Sequence, residues 1–400
     1  MRVVRTHKIA LSPTQAQEGL FRQAVGTARF AYNWALAEWQ RQYESGEKPN
    51  EAALRRQLNA VKREQYPWML LVPKSIPQQA VKNVGTAFKR FFQKDSKYPV
   101  FKKKGVHDSA RFDNGPDTFQ CDGRHIRLPV VGWVKMRESL RFCGKPLSAT
   151  VSCVAGRWFV SVPVEGDIPD PVRKNQAAVG VDLGVTTAAT LSSGEKLVGP
   201  RALKANLERP RRFSRRHSRK VKGSNNRRKS ALKLGRLHAR IHNIRQDWCH
   251  KATTGLVREF SLIGIEGLNI RGMLANEKLA RSIADIGMYE FKRQLHYKAH
   301  LYGSEVVEAD RWYPSSKTCS DCGAITAKMP LSLREWTCPC GATHDRDINA
   351  AKNLRGVALA RASSARSNAC GEEGSGFDRK TGVKPASVKQ ESTMSYLGTH

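Results

Sequence analysis

Two cysteine pairs near the C-terminus, Cys319 with Cys322 and Cys338 with Cys340, close a short loop, and the string His344-Asp345-Arg346-Asp347-Ile348-Asn349 follows at once. Thiolates at such spacings can complete a tetrahedron around one structural Zn²⁺. The second pair, Cys338-Pro339-Cys340, is one residue tighter than the usual two-residue gap. That leaves either Cys340 or His344 as fourth ligand, with four cysteines preferred. Two more carboxylates sit in apolar, strand-like runs: Asp182 within Val179-Gly180-Val181-Asp182-Leu183-Gly184, and Glu266 within Leu262-Ile263-Gly264-Ile265-Glu266-Gly267. A carboxylate inside a buried strand is costly unless a cation or strong donors compensate it. Asp347 opens a helix-like stretch, where the ordinary role of Asp is N-capping; Asp345 can take that role and leave the other carboxylate free. Asp182, Glu266 and Asp347, converging from separate segments, could hold two divalent cations that polarise a phosphodiester and activate water. Hard oxygen ligands suit Mg²⁺ or Mn²⁺. The expected chemistry is metal-dependent phosphodiester hydrolysis beside a zinc brace.

Charge points to the same substrate. The 400 residues carry 69 Lys+Arg against 35 Asp+Glu, a formal net charge of +34. Such a surface attracts polyanions through counterion release. The run from Arg209 to Arg245 contains RRFSRRHSRK and NNRRKS with almost no carboxylates. It reads as a surface that tracks a phosphate backbone, with Arg211, Arg212, Arg215, Arg216, Arg219, Lys220, Arg227 and Arg228 as candidate contacts. A helix from Lys74 to Phe92 offers Lys74, Gln78, Gln79 and Asn83. Amides of this kind pair with adenine and lysine with phosphate or guanine, the alternative being an ordinary polar face. Trp34, Trp39, Trp68 and Trp158 are read as core rather than stacking platforms. No run of 18 or more apolar residues spans a bilayer, and Met1 to Ala10 lacks the apolar segment of a signal peptide. Nine cysteines, four of them clustered, fit a reducing compartment. A soluble cytoplasmic protein with no membrane partner is expected.

These residues need elements to position them. Arg2 to Leu11 alternates as a strand, and Ser12-Pro13-Thr14-Gln15 starts a helix with Ser12 as cap. Further helices are expected over Glu51 to Glu64 and Lys74 to Phe92. From Tyr98 to Val164 the period becomes two, with strands at Arg124 to Val134, Ala149 to Val154 and Arg157 to Val164, and a hairpin turn at Ala155-Gly156. That pattern predicts a small antiparallel barrel or sandwich, completed by the first strand. After a Pro-containing linker, Ala177 to Leu191 reads as a strand pair, Leu203 to Phe260 as long basic helices, Ser261 to Ile265 as a buried strand, Ala280 to Tyr302 as helix and Glu305 to Glu308 as strand. This alternation indicates an α/β unit. Beyond Ala362 the chain turns rich in Ser, Gly and Lys, as a disordered tail does.

The motifs VGVDLG, IEGLNI, HDRDINAAKN and YPSSKTCSDCG, with ARFAYNWAL and VGWVKM upstream, resemble TnpB, the OrfB family of bacterial insertion sequences, which is related to the type V CRISPR effectors. The resemblance covers about Met1 to Arg361. It implies a multidomain α+β chain. A wedge-type β-barrel (1–11 and 97–168) is interrupted by a helical recognition insert (12–96). A RuvC-like, ribonuclease H-like nuclease domain follows (175–315 and 343–361), carrying an inserted zinc ribbon (316–342), and the tail is 362–400. It implies Asp182, Glu266 and Asp347 as catalytic acids, the second aspartate of the Asp-Arg-Asp string being the ligand, and Cys319, Cys322, Cys338 and Cys340 as zinc ligands. Lys74, Ser75 and Gln78 fall where family members read a DNA motif. The implied function is a transposon-encoded RNA-guided DNA endonuclease. Its partners are a transposon-derived guide RNA and double-stranded target DNA with an adjacent motif, and it acts as a monomer with its RNA or, alternatively, a dimer. The rival readings are a nuclease-inactive guided DNA-binding regulator and a transposase proper performing strand transfer.

Overall fold

In the computed structural model the described residues are 1–113, 119–172, 177–330 and 332–370. The first strand, β1 (Arg2–Ser12), leads into three helices: α1 (Gln15–Glu44), α2 (Glu51–Gln65) and, after a 3-10 turn at Pro67–Leu71, α3 (Ser75–Phe92). Thr14, not Ser12, caps α1. Its hydroxyl accepts from Gln17 N–H at 3.3 Å and Gln17 Oε1 accepts from Thr14 N–H at 3.1 Å, a reciprocal capping box. Ser12 is unavailable because it is still paired in the sheet, opposite Lys135. The three helices enclose a core of their own, with Leu36, Leu54, Val81, Val84 and Phe88.

The chain then builds β2 (Ser109–Asp113), β3 (Gln120–Asp122), β4 (His125–Leu128), β5 (Gly132–Met136), β6 (Lys145–Pro146), β7 (Ser148–Val154) and β8 (Arg157–Asp167). They assemble in the order β2-β7-β8-β1-β5-β4-β3, with β6 on β8. The first strand is central. It pairs antiparallel with β8 from Arg2 opposite Asp167 to Ala10 opposite Phe159, then passes to β5 at Leu11 opposite Met136. Alternate residues of both halves, Ile9, Phe112, Ile126, Val134, Val160 and Val162, meet in one apolar core closed by Phe21 and Ile76 from the helices. The Arg124 to Val134 run is two strands rather than one. Pro129 cannot donate to a ladder, and Val130 at φ 69° turns the chain between β4 and β5.

A mixed five-stranded sheet follows: β9 (Ala178–Asp182), β10 (Ala189–Leu191), β11 (Lys196–Leu197), β12 (Leu262–Ile265) and β13 (Glu305–Glu308), in the order β11-β10-β9-β12-β13. The neighbours β9, β12 and β13 run parallel, while β10 and β11 are antiparallel. Between β11 and β12 lie α4 (Ala202–Ala205), α5 (Glu208–Ser218) and the long α6 (Asn225–Glu259). Between β12 and β13 lie α7 (Ile270–Leu274), α8 (Ala280–Ile286) and α9 (Met288–Tyr302). The expected single helix from Ala280 is two, because Gly287 adopts φ 78° and ends α8. A hairpin, β14 (Glu335–Thr337) and β15 (Thr343–Asp345), then delivers α10 (Arg346–Cys370). That helix enters the stretch assigned above to a tail; the remainder, 371–400, lies outside the described residues. The chain thus has a mixed α/β multidomain architecture.

Candidate functional site

Alternation along β9 and β12 decides which side chains meet. Val179 and Val181, with Ile263 and Ile265, face Leu256, Val257, Phe291 and Leu295 in one core. Gly180, Asp182, Gly264 and Glu266 therefore project to the opposite face, where α10 packs. The two glycines are required there. A Cβ on Gly180 would collide with the Ala351 carbonyl oxygen, and one on Gly264 with that of Leu354. Glycine lets the α10 backbone rest on the sheet, which brings the first turn of α10 to the C-terminal ends of β9 and β12. Because Val181 lies beside Ile265 in parallel register, Asp182 and Glu266 leave neighbouring strand ends together. Asp347 reaches them from the helix.

Asp345 caps that helix. Its Oδ1 accepts from the N–H groups of Asp347 at 3.0 Å and Ile348 at 3.1 Å, while Lys196 Nζ donates to Oδ2 at 2.7 Å. Burial works to raise the Asp345 pKa, but Lys196 and the N–H donors outweigh it and hold the group below the ordinary range. With the cap filled, Asp347 is free to face the other acids, its nearest cation being Arg334 Nη1 at 3.6 Å. Burial pushes the Asp182 pKa well above the usual carboxylate range, and the charges of Glu266 and Asp347 push it further than Arg346 and Arg334 pull it back. Burial also raises Glu266, against the Ser315 hydroxyl, which donates to Glu266 Oε1, and against Arg346, while Asp347 adds repulsion. Asp182 and Glu266, half-buried and raised by burial and by the negative charge beside them, form with Asp347 a cluster whose charge lacks full compensation, and a cation would supply it.

The cysteines meet beside this cluster. Cys319 Sγ and Cys340 Sγ are 3.8 Å apart, Cys322 Sγ and Cys338 Sγ 3.6 Å. Among the described residues, these four are the one group of three or more metal-type ligands whose atoms all lie within 4.8 Å of one another; the three carboxylates stand farther apart. Four sulfurs so close fit one tetrahedral ion. His344 Nε2 is 3.1 Å from Cys319 Sγ but stands outside the group. The cysteine loop is tied to α10 by two side chains one helical turn apart. Asn349 accepts from Ser320 N–H at 2.9 Å and donates to Thr318 O at 2.7 Å, and Asn353 donates to Ser315 O and Thr318 O, each at 2.7 Å. Ser315, Asn349 and Asn353 were not singled out from sequence. Their signal was the i,i+4 spacing of two asparagines in the HDRDINAAKN string.

The basic candidates divide. Arg211, Arg212, Arg215, Arg216 and Arg219 are exposed along α5 around a groove of about 510 Å³. Arg228 is exposed and bonds Asn225 at 3.2 Å. Arg227 has a different role from the one expected: its guanidinium donates to the carbonyls of Lys220 at 2.6 Å and His217 at 3.4 Å, closing the turn from α5 to α6. Lys220 is half-buried in that turn. Lys74 is exposed at the N-cap of α3, with Ser75 and Gln78 half-buried in its first turn. Trp34 and Trp39 are half-buried against the helical core, Trp158 is buried, but Trp68 is 41% exposed and so is not the core residue expected.

Three family descriptions match the chain: a helix-turn-helix domain over residues 1–48, the OrfB_IS605 "Probable transposase" over 161–277, and a Cas12f1-like TNB domain over 289–354. A Streptomyces pristinaespiralis protein named "Putative RNA-guided DNA endonuclease" is 39% identical over 99% of this chain and 98% of its own length. The Escherichia coli relative InsQ, named likewise, is 34% identical over 88% and 92%. A CRISPR-Cas12f ternary complex solved by cryo-EM aligns over 86% of this chain and 82% of its own at 16% identity, with a TM-score of 0.36. Near-full-length identity at this level, over the segments that carry the acids and the cysteines, makes this chain a member of the TnpB family, the OrfB proteins of insertion sequences.

Proposed function

We propose that the protein is a transposon-encoded, RNA-guided DNA endonuclease in which Asp182, Glu266 and Asp347 are the catalytic acids. The observation that carries the reading is their convergence: adjacent parallel strand ends and the capped first turn of α10 place three acids in one half-buried cluster. The relatives' names supply the reaction class. The mixed five-stranded sheet with α10 on one face would be the RuvC-like domain, and the cysteine hairpin its inserted zinc ribbon. The curled eight-stranded sheet would be the wedge barrel, and α1 to α3 the recognition insert.

Two Mg²⁺ or Mn²⁺ ions held by the three acids would supply a polarised phosphodiester and an activated water. Asp182, Glu266 and Asp347 would be the residues that hold these ions. Asp182 feels the charge of both other acids. Ser315 orients Glu266, and Asp345 with Lys196 fixes the helix turn that presents Asp347. The exposed arginines of α5 would hold the nucleic-acid backbone, Lys74, Ser75 and Gln78 would read the adjacent motif, and base pairing with the guide would select the target. The test is to purify the protein with its RNA, sequence that RNA, and offer a matching duplex with Mg²⁺ or with EDTA. Cutting that needs both Mg²⁺ and the RNA match supports the reading. Guided binding without cutting would favour a regulator, and joined ends a transposase.

A further inference from the structure

A cleft of about 650 Å³ opens between α1 and the Pro67–Leu71 turn, away from the acidic cluster. That volume is in the range of small-molecule sites, roughly 300–1,000 Å³. Its walls are aromatic. The Phe30 ring centroid lies 4.8 Å from that of Tyr66 and 5.0 Å from that of Trp68, both edge-on, so the Trp68 ring stands at the mouth and stays 41% exposed. Asn33 also lines the cleft, with its amide spent on the N–H and the carbonyl of Lys102, at 2.8 and 3.0 Å. Gln23 lines the cleft from an exposed position on α1. Gly26 lines it too, in the interior of a 30-residue helix, and a Cβ there would meet nothing within 4 Å. Glycine at a helix interior is unfavourable relative to alanine. No close packing explains it here, and only a side chain well beyond a methyl group would fill the open space at that position.

We propose that this cleft receives one unstacked DNA base at the edge of the adjacent motif. Aromatic walls with the Gln23 amide beside them suit a flat heterocycle, whose faces stack and whose edge hydrogen-bonds. The strong positive charge of the chain brings a polyanion to the surface. DNA is the source because the turn that carries Trp68 runs within a few residues into the start of α3, where Lys74, Ser75 and Gln78 stand. A base leaving the duplex there would mark the point at which strands begin to part. This inference rests on the RNA-guided reading given above.

The test uses the full protein with its co-purified RNA. A duplex matching the variable end of that RNA is flanked by a randomised stretch, from which the motif is selected. 5-Iodopyrimidines are then placed at successive motif positions. Ultraviolet light is expected to crosslink one DNA position to the peptide bearing Tyr66 and Trp68. Gly26→Leu should abolish that crosslink, and both Gly26→Leu and Trp68→Ala should weaken duplex binding by about tenfold while RNA affinity is unchanged. A melting temperature within a few degrees of wild type, alongside the unchanged RNA affinity, controls for folding in both variants. Unchanged duplex affinity in both variants, or crosslinks from iodinated RNA instead of DNA, would overturn the proposal. Wild-type protein that neither binds nor cuts the matched duplex would instead overturn the guided reading on which it rests.

Discussion

At the scale of single residues, the raised acids set two expectations. Asp182→Ala should reduce cutting by at least about a thousandfold and leave RNA and duplex affinity nearly unchanged, as cleavage and filter-binding assays on one preparation would report. The second concerns stability. An acid whose folded pKa is raised binds more protons folded than unfolded, so stability declines as pH climbs from the ordinary carboxylate range toward the raised value. Asp182 and Glu266 both shift this way. Metal-free Asp182→Asn should therefore melt higher than wild type at pH 7, by about 2–4 °C for each kcal/mol relieved, and the gain should vanish near pH 3. Mg²⁺ should raise the wild-type Tm more than the variant's. An equal Mg²⁺ effect on both would remove Asp182 from the ion site. The acids themselves were legible because a carboxylate in an apolar strand demands a reason. Ser315, Lys196 and Arg334 were not, since a hydroxyl or a cation on a polar segment carries no such demand until the fold aims it.

At the scale of elements, α10 depends on two missing methyl groups. Gly264→Ala forces the helix off the sheet, an overpacking cost of about 1–3 kcal/mol, and should abolish cutting although every acid remains. Denaturant melts beside cleavage assays check this, and full activity in the variant would refute the packing argument. The cysteine hairpin is fastened to the same helix through Asn349 and Asn353. Cys338→Ser, or a strong chelator, should release about one Zn²⁺ per chain by metal analysis and depress cutting in proportion, with duplex binding less affected. Strands and helices were mostly visible in hydrophobic period. What escaped was punctuation: Thr14 displaced Ser12 as cap because the first strand continued one residue further, and Gly287 divided a helix whose apolar pattern ran on. That the first strand joins this sheet was expected, but its pairing with both β8 and β5 is a long-range choice that no local pattern encodes.

At the scale of the whole molecule, charge governs association. Replacing Arg211, Arg212, Arg215 and Arg216 with Gln should weaken nucleic-acid binding across all sequences and flatten the dependence of log K on log salt by roughly 0.7–0.9 per lost phosphate contact. A slope equal to wild type would place the backbone track elsewhere. Composition alone announced a polyanion, but it could not separate Arg227, spent on the α5 to α6 turn, from its exposed neighbours.

The seating of α10 on Gly180 and Gly264 also has a bearing on synthesis. Two of the acids emerge from the ribosome well before the third, and among the described residues α10 is the last element made. On the reading proposed above, a chain truncated before α10 would carry the arginines of α5 but lack the third acid, and would bind nucleic acid without cutting it.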